Sequence, residues 1–161
     1  MGLTFCEFVT ILVTVMAANS QFAIAVHILT VLAKEREGDN VKSDYLAGSV
    51  KTNPVVIRRL LGDLSRAKLV VSQTGAGGGT RLARCPNEIN LADVHRAVSC
   101  AATFALRRET NEACSIGKNI QCVLEKLQAE INGAVEARLA EFTLKSVLDE
   151  VEQAGCADQK L

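Results

Sequence analysis

Between residues 41 and 84 the chain sets eight cations, Lys42, Lys51, Arg58, Arg59, Arg66, Lys68, Arg81 and Arg84, against two acids, Asp44 and Asp63. A guanidinium is flat, permanently charged and forked, so it grips phosphate oxygens or the O6 and N7 edge of guanine with paired N–H groups. Lys51, Thr52 and Asn53 stand just before Pro54. Short polar groups at a helix start can bond phosphate oxygens or base edges, and the free N–H groups there attract anions. This is recognition chemistry rather than bond-making chemistry. No nucleophile–base pairing, metal-type spacing or paired carboxylates stand out, so the reading is not an enzyme.

The six cysteines, at 6, 85, 100, 114, 122 and 156, follow no tight spacing. Without a convincing signal peptide, a disulfide framework is not expected. Cys114 falls just before an expected helix N-terminus with Lys118 nearby, a setting that favours thiolate. It is a redox-sensing candidate, with an inert thiol as the alternative. His27 and His95 have no second metal-type ligand at helical spacing, so they read as core or surface histidines, and no metal site is assigned.

A chain of 161 residues makes one domain, or one domain with an appendage. At 48% hydrophobic and 22% charged residues the composition excludes wholesale disorder. With no Trp and few Phe or Tyr, the core must be mostly aliphatic. The net charge is zero, which taken evenly would disfavour a nucleic-acid partner. It is not even. Residues 1–84 carry net +4, residues 85–161 net −4, and 41–84 alone net +6. A basic binding surface on one module is one reading; two solvated faces of opposite sign is the other.

The basic residues need elements to position them. Residues 20–34 read as a helix, capped by Ser20 or Asn19, with Phe22, Ala25, Ile28, Leu29 and Leu32 at helical spacing. Ser43 should cap a short helix, DYLAGSV, on which Leu46, Ala47 and Val50 are apolar. A three-residue turn, Lys51-Thr52-Asn53, then leads to a helix capped by Asn53, with Pro54 first, ending near Lys68. Residues 69–73 and 80–84 read as strands joined by the turn GAGGG at 75–79. The turn lacks a Gly-Lys-Ser/Thr ending and leads into a strand, which argues against a nucleotide-binding loop. Asn90 should cap the helix at 91–99, with Asp93 completing a capping box. Residues 100–114 read as helix end and loop. The longest helix, about 116–141, carries the stripe Ile120, Leu124, Leu127, Ile131, Val135, Leu139 and Phe142. Thr143 restarts a short helix, LKSVLDEV, and 152–161 reads as a frayed tail.

Two short helices, a tight turn and an immediate hairpin match the winged helix-turn-helix plan. The alternative is a helical hairpin with a surface ribbon. At about 100° per residue, Ile57, Leu60, Leu61 and Leu64 share one arc. Val55, Arg59, Gly62 and Arg66 lie opposite, with Arg58 flanking. The outward face is therefore basic, and Gly62 leaves a gap where a backbone can approach. The expected fold is mainly α with a small β-hairpin wing: a winged helix-turn-helix plus a long dimerisation helix.

FAIAVHIL at 22–29, TNPVVIRRLL at 52–61, GGG at 77–79 and LARCPNEINLADVHRAV at 82–98 resemble the Rrf-two family of bacterial winged-helix transcription regulators. CSIGKNIQ at 114–121 and FTLKSVLDEV at 142–151 continue the likeness in consistent order. The resemblance implies a homodimer paired through 116–142, with two recognition helices entering successive major grooves of double-stranded DNA at a pseudo-palindromic operator. Several members ligate an iron–sulfur cluster through three cysteines in a loop before the long helix. Here Cys114 alone matches the last of the three. Cys100 is too early, and Cys122 lies eight residues on, about 12 Å along a helix. No cofactor is therefore expected, and an iron–sulfur cluster is disfavoured; ligands drawn from both protomers would be its remaining form.

Residues 1–18 hold an apolar run, Phe8 to Ala18, about half the roughly 20 residues that span a bilayer. The run lacks a basic n-region or basic polar face, so neither a signal peptide nor a membrane anchor is expected. Residues 1–18 read as an extension outside the fold, with Met16 an alternative start. The organisation expected is thus 1–18 extension, 19–99 DNA-binding domain, 100–151 loop and dimerisation helix, and 152–161 tail. The expected function is a cytoplasmic, sequence-specific DNA-binding regulator, a homodimeric repressor. Thr52, Asn53, Val55, Arg58 and Arg59 should read bases, and Lys51, Arg66, Arg81 and Arg84 should hold phosphates. A winged-helix module that docks protein rather than DNA is the competing class.

Overall fold

The computed structural model describes the backbone of residues 5–35, 39–75, 77–98 and 114–158, with side chains described within 20–155. Its order is α1 (Phe5–Lys34), α2 (Ser43–Val50), α3 (Pro54–Arg66), β1 (Val70–Gln73), β2 (Gly79–Leu82), a 3-10 turn (Pro86–Glu88), α4 (Leu91–Val98), α5 (Ser115–Ala140) and α6 (Leu144–Asp158). The expected architecture, helices with a two-stranded wing, is the one found. The loop expected at 100–113 lies outside the described residues.

Amphipathic spacing builds the core. Ala25, Ile28, Leu29 and Leu32 of α1 meet Leu46 and Ala47 of α2 and Ile57, Leu60, Leu61 and Leu64 of α3. Val41, Leu69, Val70, Ile89, Leu91, Val94, Val98 and Leu144 complete the cluster. The arc expected on α3 is thus the buried one, and truncating Leu60 or Leu64 to Ala should cost about 2–5 kcal/mol. Phe22 is half-buried and meets His95 edge to face, ring centroids 5.6 Å apart. Nδ1 of His95 is buried without a hydrogen-bond partner among the described residues.

The wing is antiparallel, with Val70 opposite Leu82 and Gln73 opposite Gly79. β2 ends at Leu82 rather than at the expected Arg84, and one further cross-strand bond, Ala83 N–H to the Leu69 carbonyl at 3.0 Å, continues the register past its end. A piece absent from the sequence reading joins it: Val41 exchanges two backbone hydrogen bonds with Thr80, at 2.9 and 2.8 Å. Gly79 permits this approach, since a Cβ there would lie 2.8 Å from the Val41 carbonyl oxygen. At the other end, Leu91 N–H bonds the Phe142 carbonyl and Leu144 N–H bonds that of Ile89. This bridge returns the C-terminal segment to the body and sets α6 beside α1.

Helix boundaries needed correction in three places. No helix starts at Asn19 or Ser20, because α1 runs unbroken from Phe5. A capping residue marks a start only where something breaks the preceding run, and 5–18 contains neither Gly nor Pro. Ser43 is the first residue of α2, not its cap; Lys42 holds that position, with no side-chain cap bond. The segment 152–158, expected to fray, continues α6 to Asp158. Among the described residues no helix is long and apolar enough to cross a membrane.

Candidate nucleic-acid interface

The turn before α3 is built from one left-handed residue and one cap. Lys51 adopts φ 54°, closing α2 with Lys51 N–H on the Gly48 carbonyl and Thr52 N–H on that of Ala47. Asn53 then caps α3, its Oδ1 accepting from Val55 N–H at 2.8 Å, with Pro54 at the first helical position. The same C-terminal arrangement ends α3: Lys68 has φ 58°, Lys68 N–H bonds Ser65 and Leu69 N–H bonds Leu64. Both are glycine-type terminations carrying lysine instead.

The structure brings most of the expected residues onto one side. Val55, Arg58, Arg59, Gly62 and Arg66 are exposed on α3, and Lys51 and Asn53 are exposed before it. A groove of about 620 Å³ lies between the α2 start, α3 and the wing, lined by Lys42, Asp44, Arg58, Gly62, Ser65 and Thr74, among others. Val55, an apolar residue at the helix start, is 65% exposed. Gly62 has open space around it.

The arginines differ in how they are held. Arg58 Nη2 stands 3.7 Å from Asp44 Oδ1 of α2. Arg66 pairs with Asp63 one turn back. Arg81 donates to Asn40 Oδ1 at 3.3 Å. Arg84 donates from Nε to the Lys68 carbonyl at 3.3 Å and sits 3.7 Å from Asp93. Both wing arginines are only half-exposed. Asn40 also donates to the Gly77 carbonyl at 3.3 Å, so it ties the wing tip and Arg81 to the loop after α1. Sequence reasoning missed Asn40 and Asp44; the lone apolar Val41 between polar neighbours was the available signal for this third strand piece.

Cys85 lies beside the wing and lines a pocket with Arg81 and Arg84, whereas Cys114 and Cys122 belong to the start and second turn of α5. Cys85, Cys114 and Cys122 are free and exposed. Backbone N–H groups of Gly117 and Ile116, at the first turn of α5, hold the Cys114 thiol below its ordinary range. Among the described residues no three His, Cys, Asp or Glu side chains gather as a metal site. Cys114 and Cys122 flank two turns of α5, a rise of about 12 Å, so this donor set does not fit one small cluster.

On α5 the expected stripe is only partly uncovered: Leu124, Ile131, Leu139 and Phe142 are half-buried, the last two packed against the core. Ile116, Ile120, Val123, Leu127 and Val135 are exposed, and the helix's one buried residue is Gln128. An apolar groove of about 1030 Å³ also runs between α1 and α6, lined by Phe22, Val26, Val31, Val147, Leu148 and Val151, among others. His27, on the same rim, bonds Ser49 of α2 through Nε2 at 3.1 Å.

A capped, basic second helix beside a β-wing defines a winged helix-turn-helix protein of the transcription-regulator class. The family described as Rrf2, iron-dependent transcriptional regulator, matches residues 18–150, and the chain belongs to it. YwnA of Bacillus subtilis, named among HTH-type transcriptional regulators, is 36% identical over 132 residues, covering 81% of this chain and 96% of YwnA. A crystal structure described as a DNA-binding protein superposes with TM-score 0.63 at 33% identity, covering 80% of this chain and 98% of that one. Another, described as a transcriptional regulator from Lactobacillus plantarum, gives TM-score 0.72 at 25% identity, covering 87% and 95%. These relatives are regulators and not enzymes.

Proposed function

We propose that this chain is a cytoplasmic repressor that binds a pseudo-palindromic DNA operator as a homodimer. The carrying observation is the outward face of α3, where Val55, Arg58, Arg59, Gly62 and Arg66 are exposed behind a capped start. Thr52, Asn53, Val55, Arg58 and Arg59 read bases, with Val55 suited to a thymine methyl. Lys51, Arg66, Arg81 and Arg84 hold phosphates, exchanging some contacts to Asp63, Asn40 and Asp93 for the duplex.

The exposed apolar residues of α5, Ile116, Ile120, Val123, Leu127 and Val135, support pairing with a second copy, since such surface favours association. A two-fold pair covers the same face on both protomers and closes. No cluster cofactor is part of the proposal, because the donor set lacks the three-cysteine loop. Cys114 is the candidate redox input, supported by its lowered pKa and exposure. Oxidation would then change DNA affinity in a way that Cys114→Ser abolishes.

Gel shifts against the DNA upstream of the protein's own gene, repeated across salt, test the reading. Specific binding should weaken steeply as salt rises, and Arg59→Ala should cost about 1–3 kcal/mol and relax base preference. Binding indifferent to salt and to Arg59→Ala would leave a protein-docking winged helix instead.

A further inference from the structure

We propose that Asp44 is a positioning residue that sets the guanidinium of Arg58 for guanine readout, an assignment that rests on the DNA-binding reading above. Among the described residues lining the groove between the α2 start, α3 and the wing, Asp44 is the only acid. Its carboxylate stands 3.7 Å from Arg58 Nη2, and both side chains are open to solvent, at 78% and 62%.

An ion pair this exposed contributes little to the fold. A carboxylate beside a phosphate-bearing duplex also opposes binding through repulsion. A carboxylate in the first turn of α2 does suit the positive helix N-terminus, but neither that nor raw affinity accounts for its placement against Arg58 of α3. Orientation does. Arg58 is a long side chain that must surrender rotamer freedom when it docks. Asp44 sits on the neighbouring helix, which the buried residues Leu46 and Ala47 fix against the core. It therefore supplies a fixed counter-charge that narrows where the guanidinium points. The guanidinium carries five donors, so one nitrogen can face Asp44 while others meet O6 and N7 of guanine. Asp44 thus lowers non-specific affinity and raises discrimination at one base.

Operator selection from randomised duplex DNA tests this with the full chain, Arg58→Ala, Asp44→Asn and Asp44→Glu. Wild type should select guanine at one position per half-site, and Arg58→Ala should flatten that position. Asp44→Asn should reduce preference there by about fivefold while non-specific affinity rises roughly twofold, with at most a small fall in melting temperature from the charge lost at the α2 start. Asp44→Glu should recover part of the preference. An Asp44→Asn profile identical to wild type overturns the proposal. So does loss at a different, cytosine position, which would make Asp44 a direct reader. An unchanged Arg58→Ala profile instead overturns the recognition-helix reading itself.

Discussion

Asn53 Oδ1 accepts the backbone N–H of Val55 at 2.8 Å, and this one bond fixes where α3 begins. It satisfies a donor that would otherwise be orphaned at the helix start, and it sets the first turn on which Val55 and Arg58 are mounted. Asn53→Ala should destabilise the protein by about 1 kcal/mol, and Asn53→Asp should not. Urea denaturation of the two variants checks this. Equal midpoints would mean that Pro54 alone sets the boundary.

Gly62 separates stability from recognition. A Cβ there meets nothing within 4 Å, so Gly62→Ala should stabilise α3 by about 1 kcal/mol through propensity alone. If duplex backbone approaches this face, the same methyl must weaken operator binding. The expected pair of results is a higher melting temperature with lower DNA affinity. Unchanged affinity would remove Gly62 from the interface.

Lys51 and Lys68 both occupy the left-handed region, where a side chain costs roughly 1–2 kcal/mol. Net of the extra chain entropy of glycine, Lys68→Gly should raise stability by about 0.5–1 kcal/mol. Lys51→Gly should stabilise similarly and weaken DNA binding. Calorimetry and gel shifts on both variants distinguish the two lysines.

Leu127 lies 45% exposed on the stripe of α5. Leu127→Glu should leave the helical circular-dichroism signal intact, because the side chain carries no core contact to lose. It should convert the proposed dimer to monomer in sedimentation. A variant that still sediments as a dimer would place the pairing surface elsewhere.

Cys114 should be alkylated by iodoacetamide at lower pH than an ordinary thiol. The reactive form is the thiolate, and the Gly117 and Ile116 N–H groups lower the thiol pKa, so thiolate persists further down the pH scale. Mass-resolved rates against pH, with Cys114→Ser as blank, measure this. A profile centred at the ordinary thiol range would remove the helix-start effect.

Much of the fold was legible because it follows local rules. Ile57, Leu60, Leu61 and Leu64 recur at helical spacing, and Asn53-Pro54 carries a start signal; both are properties of neighbouring residues. The boundary at Ser20 was misread because a cap-type residue does not by itself interrupt a run without Gly or Pro; Ser43 differs by one position, the cap falling on Lys42; and the polar 152–158 continues α6 even through Gly155. The Val41–Thr80 exchange was invisible for a different reason. Its partners are far apart in the chain, and one apolar residue carries no periodicity.

By itself the sequence determined the buried arc of α3, its basic outer face, the glycine-rich wing turn and the apolar stripe of α5. Spacing along a helix decides which side chains share a face, whatever surrounds them. Only the tertiary structure decided how those faces are held. It set Asp44 beside Arg58, bound Arg81 to Asn40 and Arg84 to the Lys68 carbonyl, and left Ile120, Leu127 and Val135 of the α5 stripe in solvent. Each depends on packing between segments distant in the chain, a relationship that no local pattern encodes.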